Sequence, residues 1–401
     1  MIFQTLDEKK ECFGIYANGV INYERIPEDL TATWSYASYL DGVDIRYASL
    51  YVGDSNIANV VPERFLPEWE RVSSKINAFR KSLNTAKIDL NDNCLYELVP
   101  ERFIVELCEI KNKITKHVIE NYDRPPNYNF LVDLSRVIND MSYQRLNFDF
   151  AELRQNAVDY KSRQWYKKLK KTEPYIKYNI FGTKTGRLTT KKNTFPVLTL
   201  PKNYRSVLKP NNDWFVELDF NGAELRTLMA LTGHKQLPGD IHEWNKKILH
   251  DNESDQMMTR DEAKKEVFSW LYNSKEHNNE KLLLKAYDKE AVKSKYWDGK
   301  SVSTVFGRKI PSDEHHALNY IIQSTCADLI LRQMIKIHKV LSDKKSKIAF
   351  CVHDSIVIDF SVEDKHMLKD LIKQFSDTEL GNFKVNIHAG ESYGKMMEIS
   401  L

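Results

Sequence analysis

DWFVELDFNGAELRTLMALTG, residues 213–233, joins two patterns end to end with an aspartate between them. DWFVELDF reads as a strand, and GAELRTLMALTG reads as a helix. Asp219 stands where the apolar run FVEL gives out. A second stretch, KIAFCVHDSIVIDF at 347–360, has two apolar runs around His353-Asp354 and reads as a hairpin whose turn is that pair. If the two strands are neighbours in one sheet, Asp219 and Asp354 meet at its edge and can clamp divalent ions. Two Mg²⁺ ions about 4 Å apart would activate an attacking hydroxyl and stabilise a leaving pyrophosphate. Either aspartate alone reads equally well as a turn residue or a helix cap.

Further along, a helix opens near Asp240, and another carries TRDEAKKEVFSWLYNS, residues 259–274. Arg260, Lys264, Phe268 and Tyr272 recur every fourth position, which places them along one slowly drifting helical face. A guanidinium and an ammonium at that spacing suit the β- and γ-phosphates of a nucleotide. Phe268 then offers a ring near the sugar, and Tyr272 a ring near the nascent base pair. The competing reading is a surface helix whose cations pair with Asp261, Glu262 and Glu266. Val267, Trp270 and Leu271 supply an apolar flank that lets the helix dock while still showing its cations.

The 401-residue chain is 42% hydrophobic and 29% charged, ordinary values for a globular protein of two or three domains. No run approaches the roughly 18 apolar residues that a membrane span needs. MIFQTLDEKKECF lacks the basic start and apolar segment of a signal peptide. Cys12, Cys94, Cys108, Cys326 and Cys351 show no CxxC spacing, so neither a zinc knuckle nor a disulfide framework is expected. A cytoplasmic location, the host's if the gene is phage-encoded, is the simplest expectation.

Net charge is only +3, but Lys161 to Lys209 holds fourteen Lys or Arg against the single acid Glu173. Trp165, Tyr166, Tyr175, Tyr178 and Tyr204 are interleaved with those charges, the footprint of a nucleic-acid backbone site. A solvated Lys-rich helix is the alternative. FGIYANGVINY, around Asn18-Gly19, reads as a β-hairpin, and residues 106–172 as mostly helical with a break at Pro125-Pro126. HHALNYIIQSTCADLILRQMIKIHKVL, 315–341, reads as one long amphipathic helix. Strands and long helices in this order suggest an α+β fold, a palm-like sheet covered by helices.

With these residues in view, the chain resembles family A DNA polymerases, which include bacterial repair polymerases and phage replicases. DFNGAELR (219–226) is similar to that family's motif A, R-x3-K-x3-F-x3-Y at 260–272 to motif B, and VHDS (352–355) to motif C. TGRLTT (185–190), DIH (240–242) and NYIIQSTCADLI (319–330) stand in the family's order, and the likeness covers about 180–401. It implies a right-hand fold with an antiparallel palm sheet, helical fingers, a reduced thumb and a small N-terminal α/β module. The implied division is 1–120 N-terminal module (degenerate exonuclease-like or accessory), 121–180 thumb, 181–245 palm, 246–314 fingers and 315–401 palm.

The resemblance implies a minimal, phage-encoded, template-directed DNA polymerase that adds dNTPs to a primer 3′-OH with two Mg²⁺ ions. Asp219, Asp354 and the Phe220 carbonyl would hold the metals, with Lys264 joining the aspartates in catalysis. Arg260, Lys264 and His242 would bind the triphosphate. Glu224 would be a steric gate against the ribose 2′-OH, and Phe268 would discriminate against dideoxynucleotides. Tyr272 would stack near the templating base. Arg187, Asn319 and Gln323 would reach minor-groove acceptors that every correct pair shares; His353 would lie near the primer terminus, and Arg205 would also contact DNA.

Departures from the family pattern are Ser355 where an acid is usual, Asn273 where a glycine is common, and His315 where an arginine is common. The family's 3′→5′ exonuclease needs a D-x-E pair, and residues 1–60 contain none. Asp7-Glu8 are adjacent and would point to opposite faces of a strand. No proofreading is therefore expected, and a short thumb implies low processivity, with a processivity factor or separate exonuclease as partner. Two alternatives stay open: a single-subunit RNA polymerase-like enzyme, and a catalytically inactive primer–template-binding scaffold.

Overall fold

The computed structural model describes residues 1–6, 13–90, 92–155, 159–250, 258–272 and 280–400. The chain divides into two compact units, Met1–Tyr143 and Gln144–Leu401. Asp7-Glu8 and Asn273 lie outside the described residues.

In the first unit, Gln4–Thr5, Ile15–Ala17 and Val20–Asn22 form a three-stranded antiparallel sheet. Asn18 and Gly19 turn the expected hairpin with φ of 50° and 82°. Both central residues are left-handed, which is why Asn-Gly serves there. Ala32–Thr33 pairs in parallel with Arg46–Tyr47. Helices Leu66–Thr85 and Glu101–Asn121 close a core with Val72, Ile76, Ile104, Ile114 and Val118 at its centre. Cys94 is disulfide-bonded, contrary to the expectation from spacing. A bridge outside CxxC spacing leaves no local signature.

Helix Tyr128–Ser142 also belongs to this unit. Its Tyr128 hydroxyl accepts the Tyr47 N–H at 2.7 Å, and Arg136 donates to Asp41 at 2.8 Å. The division therefore falls at 143/144, inside the stretch 121–180 expected as a thumb.

The second unit is built on a five-stranded antiparallel sheet. Trp214–Phe220 is its central strand, flanked by Ser355–Phe360 and Val385–Gly390, with Lys347–Val352 and Met397–Glu398 at the edges. Alternation along the central strand sends Val216, Leu218 and Phe220 one way and Phe215, Glu217 and Asp219 the other. Helix Leu368–Ser376 covers the first face, where Phe220 stacks on Phe375 at 4.5 Å and meets Phe383 edge-on at 5.2 Å. The face bearing Asp219 is left for chemistry.

Lys347–Val352 and Ser355–Phe360 form the expected hairpin, with His353 left-handed at φ 52° in its turn. In register, Asp219 lies opposite Ser355 on one side and Asn386 on the other.

Helix Glu314–Val340 differs from its expected amphipathic character. Every residue from Ser324 to Leu331 is buried, because the helix runs between helix Ala223–Leu231, helix Leu368–Ser376 and the sheet. Two of its polar residues find partners inside: Asp328 pairs with Arg308 at 2.6 Å, and the Gln333 amide donates to the carbonyls of Gln374, Phe375 and Asp377. A helix apolar all round signals a central position, not a surface stripe. Among the described residues, no helix is long and apolar enough to cross a membrane.

Candidate active site

Asp219 and Phe220 end the central strand, and a tight connection then starts the helix that carries Glu224. Gly222 makes that connection with φ +64°. A Cβ there would sit 2.5 Å from the Ile241 side chain, so only glycine fits. The result is a cleft of about 360 Å³. Its walls include Asp219, Phe220 and Glu224 from this segment, Asp354 from the hairpin, and His242 from helix Ile241–His250. Arg260, Lys264 and Phe268 line it from helix Arg260–Tyr272. Eight residues singled out from the sequence thus meet in one place.

The carboxylates are held at a cost. Burial, then the charges of Glu217 and Asp354, push the Asp219 carboxyl up to about 7, against a hydrogen bond from Asn386 and the charge of Lys264. Burial also raises Asp354, with the Arg187 guanidinium opposing it from 3.7 Å. Two desolvated carboxylates at neighbouring strand tips are what a divalent cation would relieve. Among the described residues, no three His, Cys, Asp or Glu side chains converge on one metal position. Mg²⁺ is usually held by one or two carboxylates plus substrate phosphates and water. Asp219, Asp354 and the Phe220 carbonyl fit such a site.

Opposite the carboxylates, Arg260 is engaged by Asp240 through Nη2 at 2.8 Å and Nε at 3.3 Å. Asp240 also accepts the backbone N–H groups of His242 and Glu243 at 2.9 Å, capping its helix. Against burial, these bonds and the Arg260 charge hold its carboxyl well below the usual range. Of the acids in the competing reading, Asp261 comes within 3.8 Å of Arg260, whereas Glu262 accepts from the Thr259 N–H at 2.7 Å and hydroxyl at 2.8 Å. The Glu262 N–H in turn donates to the Thr259 hydroxyl, which completes a reciprocal cap.

His242 is buried, and burial with the charges of Lys264 and Arg260 lowers it to about 4. At neutral pH its imidazole is neutral. The shifts at His242 and Asp219 act in opposite senses on stability. An unfolded His242 takes a proton that the folded one refuses, so its contribution is complete above about pH 6.5 and is lost as pH falls toward 4. Folded Asp219 keeps its proton up to about 7, so its contribution is present in acid and is lost as pH rises through that value from 3.8. In metal-free melts from pH 4.5 to 7, Asp219→Asn should gain stability steadily with pH, and His242→Gln should lose it. Parallel profiles for the two variants would refute the assignment.

Glu224 is clamped from both sides. Arg187 Nη2 donates to one oxygen at 2.7 Å and the Tyr272 hydroxyl to the other at 2.6 Å. Burial and that carboxylate push the Tyr272 phenol far up. Phe268 and Tyr272 lie nearly parallel at 6.2 Å between centroids.

Other expected residues lie outside the cleft lining. The Arg187 Nε and Asn319 Oδ1 are buried without a hydrogen-bond partner among the described residues. Gln323 is half-buried on the long helix, and His353 is exposed in its turn. Arg205 stacks on Tyr393 at 4.7 Å and donates to the Leu200 carbonyl at 3.5 Å, a packing role that does not bring it to the cleft. His315 is exposed. Ser355 is buried, and its hydroxyl donates to Glu217 at 2.8 Å.

Sequence reasoning passed over Glu217, Asn221, Asp240 and Asn386. Glu217 was legible from its two-residue offset to Asp219, which fixes the same strand face. Asn386 becomes visible only through strand pairing.

Residues 284–398 match the family model described as DNA polymerase family A. DNA polymerase I of Borreliella burgdorferi is 32% identical over 88 residues, 21% of this chain and 10% of that protein. The thermostable DNA polymerase I of Thermus aquaticus is 25% identical over 245 residues, 50% of this chain and 29% of that protein. DNA polymerase I of Lactococcus lactis is 36% identical over 84 residues, 20% and 10% respectively. The matches thus span less than a third of the length of these curated relatives. Among solved structures, the POL domain of Pol1 from M. smegmatis, in complex with DNA primer-template and dNTP, superposes with a TM-score of 0.56. At 14% identity, over 73% of this chain and 76% of that one, the likeness is one of fold.

Proposed function

We propose that this chain, which belongs to DNA polymerase family A, extends a primer 3′-OH with deoxynucleotides chosen by a DNA template. The observation that carries the proposal is the cleft itself: two strand-tip carboxylates on one wall, and Arg260 and Lys264 on the other. A dNTP there would place its triphosphate between the cations and the carboxylates. Bound between Asp219, Asp354 and the Phe220 carbonyl, two Mg²⁺ ions would lower the pKa of the primer hydroxyl and stabilise charge on the departing pyrophosphate.

The chain's own residues do the positioning. Arg260 trades Asp240 for the triphosphate, and Lys264 supplies a point charge over the reacting phosphates. His242 adds a neutral imidazole. Phe268 packs on the sugar, and Tyr272 must leave Glu224 for the templating base to stack. Glu224 then stands beside C2′ and excludes a 2′-OH. Arg187 carries a buried, unpartnered Nε–H donor suited to minor-groove acceptors, with Asn319 and Gln323 alongside.

In this reading, 181–245 and 315–401 are the palm and 246–314 the fingers. Helix Tyr160–Lys171 carries the thumb's grip on duplex. Lys161, Lys167, Lys168, Lys170 and Lys171 are exposed on it, while Leu169 is buried. Lys168 sits over Trp165 at 4.5 Å and Lys170 over Tyr166 at 5.1 Å.

Primer extension with Mg²⁺ and four dNTPs tests the function. Templated products should form, and should shorten steeply as salt rises. No extension with any divalent ion leaves only the scaffold reading, and rNTP use equal to dNTP use favours the RNA polymerase.

A further inference from the structure

Asp219 and Arg260 stand on opposite walls of the cleft, yet an unbroken chain of side chains joins them. Asn386 Nδ2 donates to Asp219 Oδ2 at 3.4 Å. Asn386 Oδ1 accepts from Asn221 Nδ2 at 3.4 Å, and the same Nδ2 donates to Asp240 Oδ2 at 2.7 Å. Asp240 Oδ2 in turn holds Arg260 Nη2 at 2.8 Å.

Asn221 is the hub, only 2% exposed. Its N–H donates to the Lys384 carbonyl at 2.9 Å, and its own carbonyl accepts Arg226 Nε at 2.6 Å. Its Oδ1 accepts the Ile241 N–H at 2.9 Å and Arg226 Nη2 at 3.1 Å. With the acceptor end used twice, the amide cannot flip, and its Nδ2 must face both Asp240 and Asn386. Asn386 is oriented in turn, with its oxygen toward Asn221 and its nitrogen toward Asp219. A network whose hub is buried and bonded at every polar atom fixes one geometry.

We infer that Asn221, Asn386 and Asp240 are positioning residues that relay the state of the phosphate-binding Arg260 to the metal-binding Asp219. This rests on the nucleotide-addition reading above. A triphosphate that draws Arg260 away leaves Asp240 with Asn221 as its remaining side-chain donor, which tightens the Asn221 amide on it. That shift reaches Asp219 through Asn386. Hydrogen-bond partners one step beyond a ligand commonly alter metal affinity about 10–100-fold when removed.

The test uses Mn²⁺ alone, without nucleotide or DNA. Its affinity is read from the EPR signal of free Mn²⁺ in wild type, Asp240→Asn, Asn386→Ala and the double variant. Each single change should weaken Mn²⁺ about tenfold, although Asp240 does not line the cleft. In the double variant the loss should stay near that of Asn386→Ala, since the wire is already cut. Losses that multiply mean that Asp240 acts by charge through space, and overturn the relay alone. An Asp219→Asn protein that binds Mn²⁺ as well as wild type overturns the metal site and the relay together. If Asp240→Asn melts too early to measure, Arg260→Gln takes its place: it frees Asp240 as a triphosphate would, so it should change Mn²⁺ affinity in the wild-type background and not in Asn386→Ala, and an equal change in both overturns the relay.

Discussion

Asp354→Asn is expected to reduce primer extension by about a thousandfold or more while leaving primer–template affinity within about threefold. Metal-assisted charge stabilisation contributes several kcal/mol to such a transition state, and 1.4 kcal/mol is a factor of ten in rate. Asparagine keeps the shape of the side chain but gives up the charge, so a hairpin turn held by strand pairing should fold unchanged. The same substitution is expected to raise the melting temperature in metal-free buffer at pH 8. Burial and Glu224 raise that carboxyl and Arg187 opposes them, so the fold disfavours its charged form and the cost grows as pH rises. Active sites commonly carry such destabilisation. Added Mg²⁺ should raise the melting temperature of wild type and not of the variant. A variant that keeps a tenth of the wild-type extension rate would remove Asp354 from the chemistry.

How much of this was readable before any coordinates follows from the range of each interaction. Motif residues that sit on one element were legible: the period of two placed Asp219 at a strand end, and the period of four aligned Arg260, Lys264 and Phe268. The hairpins at Asn18-Gly19 and His353-Asp354 were legible for the same reason. What failed was long-range. Nothing local says that Glu314–Val340 is buried between other helices, because the amphipathic pattern and a central helix share their apolar positions until neighbours are known. Nothing local pairs Asp219 with Asn386, since that needs the register of strands 167 residues apart. Nothing local stacks Arg205 on Tyr393, 188 residues further along the chain. Asp240 looks like a cap, which it is, and its second role with Arg260 depends on where the next helix docks.

Glu224→Ala is the second large effect expected, about a hundredfold rise in ribonucleotide use relative to deoxynucleotide use. A carboxylate that fills the space beside C2′ rejects a hydroxyl by collision, and discrimination of about that size is typical of pocket shape. The structure adds a cost that steric reasoning alone omits. Glu224 is the common acceptor for Arg187 and Tyr272. Without it, the Tyr272 hydroxyl loses its partner, and Arg187, already 3.7 Å from Asp354, closes on that aspartate. An arginine paired there would compete with the metal, so deoxynucleotide addition should also fall, by about tenfold. Glu224→Gln separates the two consequences. Its amide keeps the volume, so the gate stays shut, while the bond from Arg187 loses its charge. Steady-state kcat/KM for dCTP and rCTP on one template decides it. If Glu224→Gln admits ribonucleotides as freely as Glu224→Ala, then charge, not bulk, is what turns the 2′-OH away, and the carboxylate acts as a repeller of the sugar oxygen.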